Sequence, residues 1–167
     1  MRGYSRRRVG LCFASLFLLA AMPLLMLVSC KKSVSPYLLM LEFCKSFGIE
    51  DTVFSPSLSE GERGFVNDDF FELVFEESAD SVSDYAVVFL SSLDNVGECA
   101  LFLCYSEYDA LIACDTLRRR ADLLKSMGTG MDVSYTQDAK IFKSGKYAIM
   151  CALPDNERAE RLWRKIL

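Results

Sequence analysis

Asp84-Tyr85-Ala86-Val87-Val88-Phe89-Leu90-Ser91 and Glu98-Cys99-Ala100-Leu101-Phe102-Leu103-Cys104-Tyr105 are apolar at successive positions rather than at every second one. Both runs have the length and the β-branched and aromatic content of strands, and Leu93-Asp94-Asn95-Val96-Gly97 between them reads as a connection, so they predict an antiparallel pair. A strand with one wet face alternates apolar with polar residues. Here Tyr85, Val87 and Phe89 fall on one face and Ala86, Val88 and Leu90 on the other. The second face of the sheet therefore has to be covered, by the N-terminal helices, by another subunit or by a ligand.

Outward from the pair, the periodicity changes. Ser106 caps a long helix with Glu107 and Asp109 in its first turn, an apolar stripe at Ala110, Cys114, Leu117, Ala121 and Leu124, and Gly128 past its end. Within it Asp115 faces Arg119 and Arg118 faces Asp122 at helical spacing, so the Arg118-Arg119-Arg120 run reads first as a solvated, ion-paired face. After a loop through Gly130 and Asp132 comes a hairpin, residues 140–143 and 146–153 about a Ser144-Gly145 turn. A last helix follows Pro154-Asp155, with Ala159, Leu162, Trp163 and Ile166 on one face and Arg164-Lys165 in its final turn.

Upstream, Ser35-Pro36 opens a helix over residues 36–48, with Tyr37, Leu38, Leu41, Cys44 and Phe47 apolar and Gly48 as the stop. Residues 49–66 form a loop rich in Ser, Pro and Gly. A short helix starts at Asn67, with Asp68, Asp69 and Glu72 near the positive end of its dipole; capping accounts for these carboxylates better than a calcium loop does. The element order predicts an α+β fold, a small antiparallel sheet of about four strands packed with helices in one domain at residues 67–167.

The beginning of the chain carries an export signal. Arg2, Arg6, Arg7 and Arg8 precede an apolar run over residues 9–28 that Pro23 interrupts, and Leu27-Val28-Ser29-Cys30 closes it as a lipobox. About 20 apolar residues could also span a bilayer as an uncleaved anchor. The cysteine placed where the run stops, with Lys31-Lys32 after it, favours a signal peptide over residues 1–29, diacylglycerol on the Cys30 sulfur, and a short tether over residues 30–35. The expected location is the extracytoplasmic face of the cell membrane.

Without the four signal arginines, 15 basic residues face 23 acidic ones, a net charge of −8. That balance argues against nucleic acid as a partner. Residues 50–98 hold 13 acidic residues and one basic one, Arg63, whereas residues 118–167 hold 11 basic and 6 acidic. Cys44, Cys99, Cys104, Cys114 and Cys151 are odd in number and without a C-x-x-C motif, so no disulfide framework is predicted; small core hydrophobes describe them better.

Several segments in order bear a family resemblance. Ser83-Asp84-Tyr85-Ala86-Val87, Gly97-Glu98-Cys99-Ala100-Leu101-Phe102, Leu117-Arg118-Arg119-Arg120, and Ser144-Gly145-Lys146-Tyr147-Ala148-Ile149-Met150 before Pro154-Asp155-Asn156, all behind a lipobox, resemble domain-of-unknown-function family 4358 of Gram-positive bacterial lipoproteins. The resemblance spans nearly all of the mature chain. It implies a membrane-anchored α+β protein and no particular activity, so no catalytic residues carry over.

There is no histidine. Its absence removes His-dependent acid–base work, Ser-His and Cys-His nucleophile pairs and most catalytic zinc sites. Glu98 beside Cys99, and Ser144 near Lys143 and Lys146, are better explained as a strand start and turn chemistry. The expectation is a protein without catalytic, cofactor or metal residues. Its binding surface would involve Arg118, Arg119, Phe89 and Phe102, and its partner would be another envelope protein. The alternatives are small-ligand capture beside a transporter, with a pocket against Phe89 or Phe102, and thiol chemistry at one fast-reacting cysteine.

Overall fold

The computed structural model describes residues 33–67, 69–90, 96–127 and 134–167. The signal, Cys30, Asp68, most of the connection before Gly97 and the loop over residues 128–133 lie outside them. Val34–Leu167 forms one compact unit. Its fold is α+β, as the segment order requires.

The sheet has five antiparallel strands: β1 (Val53–Phe54), β2 (Val82–Phe89), β3 (Glu98–Cys104), β4 (Lys140–Ser144) and β5 (Tyr147–Ala152), in the spatial order β1-β2-β3-β5-β4. One strand more is present than the sequence predicts. It lies inside the supposed loop over residues 49–66, where Val53 pairs with Val88 and Phe54 with Val87. Two residues are too few to show a period. Ser55 extends this edge by bridging Phe65 and donating its hydroxyl to Tyr85 O at 2.8 Å, which gives a fully buried serine a partner.

Strands β2 and β3 pair as Tyr85↔Phe102 and Val87↔Ala100, and β3 pairs with β5 as Cys99↔Cys151 and Leu101↔Ile149. Both faces of this central trio are buried, and the chain's own helices do the covering. On one face α1 (Pro36–Phe47) and α5 (Asn156–Ile166) lie over Ala86, Val88, Cys99, Leu101, Ile149 and Cys151. On the other, α2 (Asp69–Phe75) and α3 (Glu107–Met127) cover Tyr85, Val87, Ala100, Phe102, Ala148 and Met150. Of the three covers the sequence allowed, intramolecular helices are the one observed.

The helices follow most of their local signals; the departures are in α1, where Leu38 and Leu41 are exposed, and in α2, where the Asn67 amide donates to Asp69 Oδ2. Gly48 ends α1 at φ 91°, where a left-handed backbone returns its N–H to Cys44 O at 2.8 Å. At the start of α1, Pro36 takes the first turn as expected, but the Ser35 hydroxyl makes no capping bond and only its carbonyl engages, accepting from Leu39 N. Ser106 caps α3 reciprocally with Asp109: its Oγ accepts from Asp109 N at 3.1 Å and donates to Asp109 Oδ2 at 2.7 Å. All five residues of the predicted α3 stripe are buried. Asp155 caps α5 by accepting from Arg158 N. A four-residue helix, α4 (Ser134–Gln137), precedes β4 and is tied to α5 by Asn156, which donates to Tyr135 O and accepts from Leu153 N.

Helices α1 and α5 run antiparallel. Arg158, at the start of α5, donates to Ser46 O and stacks over Phe47 near the end of α1, while Phe43 and Trp163 stack at 4.5 Å and 6° between them. The N-terminal end of α1 is held to the β4–β5 hairpin, where Tyr147 Oη donates to Val34 O at 2.8 Å. Leu39, Met40, Phe43 and Cys44 face inward; Val34, Leu38 and Leu41 remain exposed on the opposite side of the helix.

Candidate functional site

Segment 76–82, which joins α2 to β2, runs beside α3 and is clamped to it. Glu77 accepts from the Thr116 hydroxyl at 2.9 Å and forms an ion pair with Arg119. Between this segment and α3 lies an open cleft of about 310 Å³ bordered by Glu77, Asp80, Val82, Ile112 and Thr116 over Phe71. A neighbouring cleft of about 480 Å³ shares Phe71, Ser78, Asp80 and Val82 and continues to Asp84 and Tyr105. Together they form a trough with an apolar floor and acidic walls. Along one side of it Tyr105, Tyr108, Leu111 and Ile112 are exposed, Tyr108 at 71%. Residues 108, 111 and 112 are helical neighbours on α3, so these side chains form one apolar patch beside the trough.

The four residues expected to form a binding surface do not come together. Phe102 is fully buried, with its ring against Phe71 at 5.1 Å and Phe75 at 4.8 Å, so it belongs to the core and offers no docking surface, but it borders the 310 Å³ cleft from the core side, where a pocket against it was expected. Phe89 is half-buried in an aromatic group with Phe54 and Phe70 on the β1 side. Arg118 and Arg119 are exposed on α3, yet their partners differ from those that helical spacing suggests: Arg118 pairs with Asp115 and Arg119 reaches across to Glu77, while Asp122 pairs with Lys125. Of the four, Phe102 alone borders a cleft, and Arg119 reaches the trough wall only through its ion pair with Glu77.

Arg120 departs furthest from a solvated face. It turns inward to Glu98, the first residue of β3, with Nε at 3.0 Å and Nη2 at 2.7 Å from Oε2. Glu98 is 1% exposed and the Arg120 side chain 12%. Burial pushes the Glu98 carboxyl above its ordinary range, and the Arg120 hydrogen bonds and charge offset part of that effect. A signal for this pair exists in the sequence: a carboxylate heading a run of seven residues otherwise apolar, and an arginine one position before buried Ala121.

The five described cysteines are buried free thiols. Burial pushes Cys44 and Cys104 up to about 12, with nearby Cys99 and Asp51 adding for the first and Asp109 for the second. It raises Cys99 well above the usual thiol range, assisted by Cys151, whose sulfur lies 4.0 Å away, and it raises Cys114. None of the five has the exposure of a nucleophile, and the shifts at Cys44, Cys99, Cys104 and Cys114 run opposite to the lowered value one needs. Among the described residues no group of three or more His, Cys, Asp or Glu is placed to hold a metal ion.

No family model, curated protein or solved structure matches the chain.

Proposed function

We propose that the protein is a lipoprotein anchored through Cys30 on the extracytoplasmic face of the membrane, of the kind that family 4358 groups, and that its domain is a non-catalytic binding or assembly module for another envelope protein. The anchor reading rests on the arginine-led apolar run that ends in Leu27-Val28-Ser29-Cys30. No helix among the described residues is long and apolar enough to cross a membrane. The lack of histidine and the burial of the thiols count against catalysis.

One observation carries the binding role: with both sheet faces covered internally, exposed apolar side chains gather at Tyr105, Tyr108, Leu111 and Ile112 beside an acid-walled trough. Such a patch suits a segment with apolar side chains and basic flanks. A photo-crosslinking residue at Tyr108 in the full chain tests it in cells. The reading expects a discrete adduct with one envelope protein that disappears when Ile112 is changed to Asp; an unmodified Tyr108 variant under the same illumination contradicts it. The trough also supports a second reading, capture of a small cationic ligand beside a transporter, for which a thermal shift with cationic metabolites and no crosslink is the signature.

A further inference from the structure

We infer that the outer face of α1, flanked by the basic end of α5, is the surface on which the domain rests against an anionic bilayer. This placement rests on the reading of Cys30 as the point of lipid attachment. Val34 is four residues beyond Cys30, so an extended chain separates the lipid from the domain by at most about 14 Å. Val34 is tied to the domain where Tyr147 Oη donates to its carbonyl at 2.8 Å, one residue before Ser35 at the N-cap position of α1. Whatever surface adjoins Val34 therefore lies close to the headgroups.

That surface has the composition an interface requires. Leu38 and Leu41 lie at i and i+3 on the side of α1 turned away from the core, Leu38 at 58% exposure, and exposed Val34 just precedes the helix. On the same exposed face of α1 Glu42 and Lys45 balance each other in charge, so the basic character comes from α5. Because α5 runs antiparallel to α1, its C-terminal turns with Arg161, Arg164 and Lys165 lie toward the tether, whose own sequence is Lys31-Lys32. Arg164 is held over Phe142 and paired with Glu160, while Arg161 and Lys165 are exposed.

The charge of the two helical layers separates in the same sense. Helices α1 and α5 carry five basic and three acidic side chains; α2 and α3 carry four basic and six acidic, and Glu76, Glu77 and Asp80 follow α2. An anionic membrane thus attracts the layer from which the tether emerges and repels the layer that carries the trough. The Tyr108 patch is left facing away from the lipid.

The full acylated chain, reconstituted in vesicles of phosphatidylglycerol and phosphatidylcholine, decides the placement. Leu38→Cys, Leu41→Cys and Tyr108→Cys, each labelled with an environment-sensitive maleimide, report the three positions without interference from the buried native thiols. Labels at residues 38 and 41 are expected to be quenched at least three-fold more by bromine-substituted lipid chains than the label at 108, and iodide is expected to show the opposite order. Arg161→Glu with Lys165→Glu is expected to halve the lipid quenching at residue 41 without reducing co-flotation. Vesicles that float with the acylated protein while all three labels remain equally open to iodide overturn the placement and leave the anchor intact. Unchanged flotation and quenching after Cys30→Ser would instead refute the anchor and leave the bilayer seat standing.

Discussion

Arg120 of α3 and Glu98 of β3 form an ion pair almost wholly removed from solvent, with two guanidinium nitrogens directed at one carboxylate oxygen. It pins α3, the longest helix among the described residues, to the central strand at the edge of a largely apolar core. The energetic balance of such a pair is uneven: desolvation takes back most of what attraction supplies, but loss of one partner strands a charge.

Replacement of Arg120 by Met is therefore expected to cost about 3–5 kcal/mol at neutral pH. Burial already holds the Glu98 value above the ordinary carboxylate 4.5. A raised folded value means that folding favours the protonated form, so the contribution of Glu98 is fully present below the unfolded value and is lost as pH rises through the folded one. The penalty of Arg120→Met should accordingly shrink as pH falls toward the ordinary carboxylate range, and Glu98→Gln should remove that segment of the pH dependence. Urea unfolding of both variants at several pH values checks this; a penalty independent of pH contradicts it.

The Phe43–Trp163 stack joins α1 to α5 over one face of the sheet. Trp163 is fully buried and is the single tryptophan of the chain. Trp163→Ala is expected to lower stability by about 3–5 kcal/mol, the range for large-to-small changes at aromatic core positions. Phe43→Leu should cost less and should shift the emission of Trp163, which fluorescence of the folded variant reads directly.

All five domain thiols should resist alkylation while the fold is intact. With Cys44 and Cys104 pushed up to about 12, the thiolate fraction at neutral pH is minute, and burial blocks access besides. Mass spectrometry after iodoacetamide treatment should find the five unmodified in native protein and modified after denaturation. One rapidly alkylated native thiol would revive the thiol-chemistry alternative.

Gly64 sits at φ 94°, and a Cβ built there would lie 2.1 Å from Val53 O. Neither the left-handed backbone nor the contact tolerates a side chain. Gly64→Ala is expected to cost at least about 1–3 kcal/mol from backbone strain and to detach β1, with hydrogen exchange rising at Ser55 N, which donates to Gly64 O.

The large elements were legible because the helices carry a 3.6-residue period and the central strands are unbroken apolar runs of strand length. The two-sided apolar strands required a covered sheet, and the stripes of α3 and α5 supplied two of its covers; in α1 Leu39, Met40 and Phe43 join Cys44 in facing the sheet, whereas Leu38 and Leu41 of the expected apolar set are exposed. What escaped was short or depended on distant packing. Two residues of β1 and four of α4 are too few to establish periodicity. Phe102 looked available because a run apolar on both faces does not reveal which helix will lie on which residue. Arg120 was grouped with Arg118 and Arg119 because helical spacing ranks neighbours along one helix and is blind to a carboxylate on a strand. Likewise Tyr105 and Tyr108 became candidates only once the other aromatic side chains were seen to be spent on the core.

The most direct test of the account concerns the first residue of the mature chain. Intact mass spectrometry of the protein extracted from membranes, with fragmentation of its N-terminal peptide, should show a chain beginning at Cys30 with diacylglycerol on the sulfur. A chain that retains the residues before Cys30, or that begins there with a free thiol, would contradict the proposed anchor.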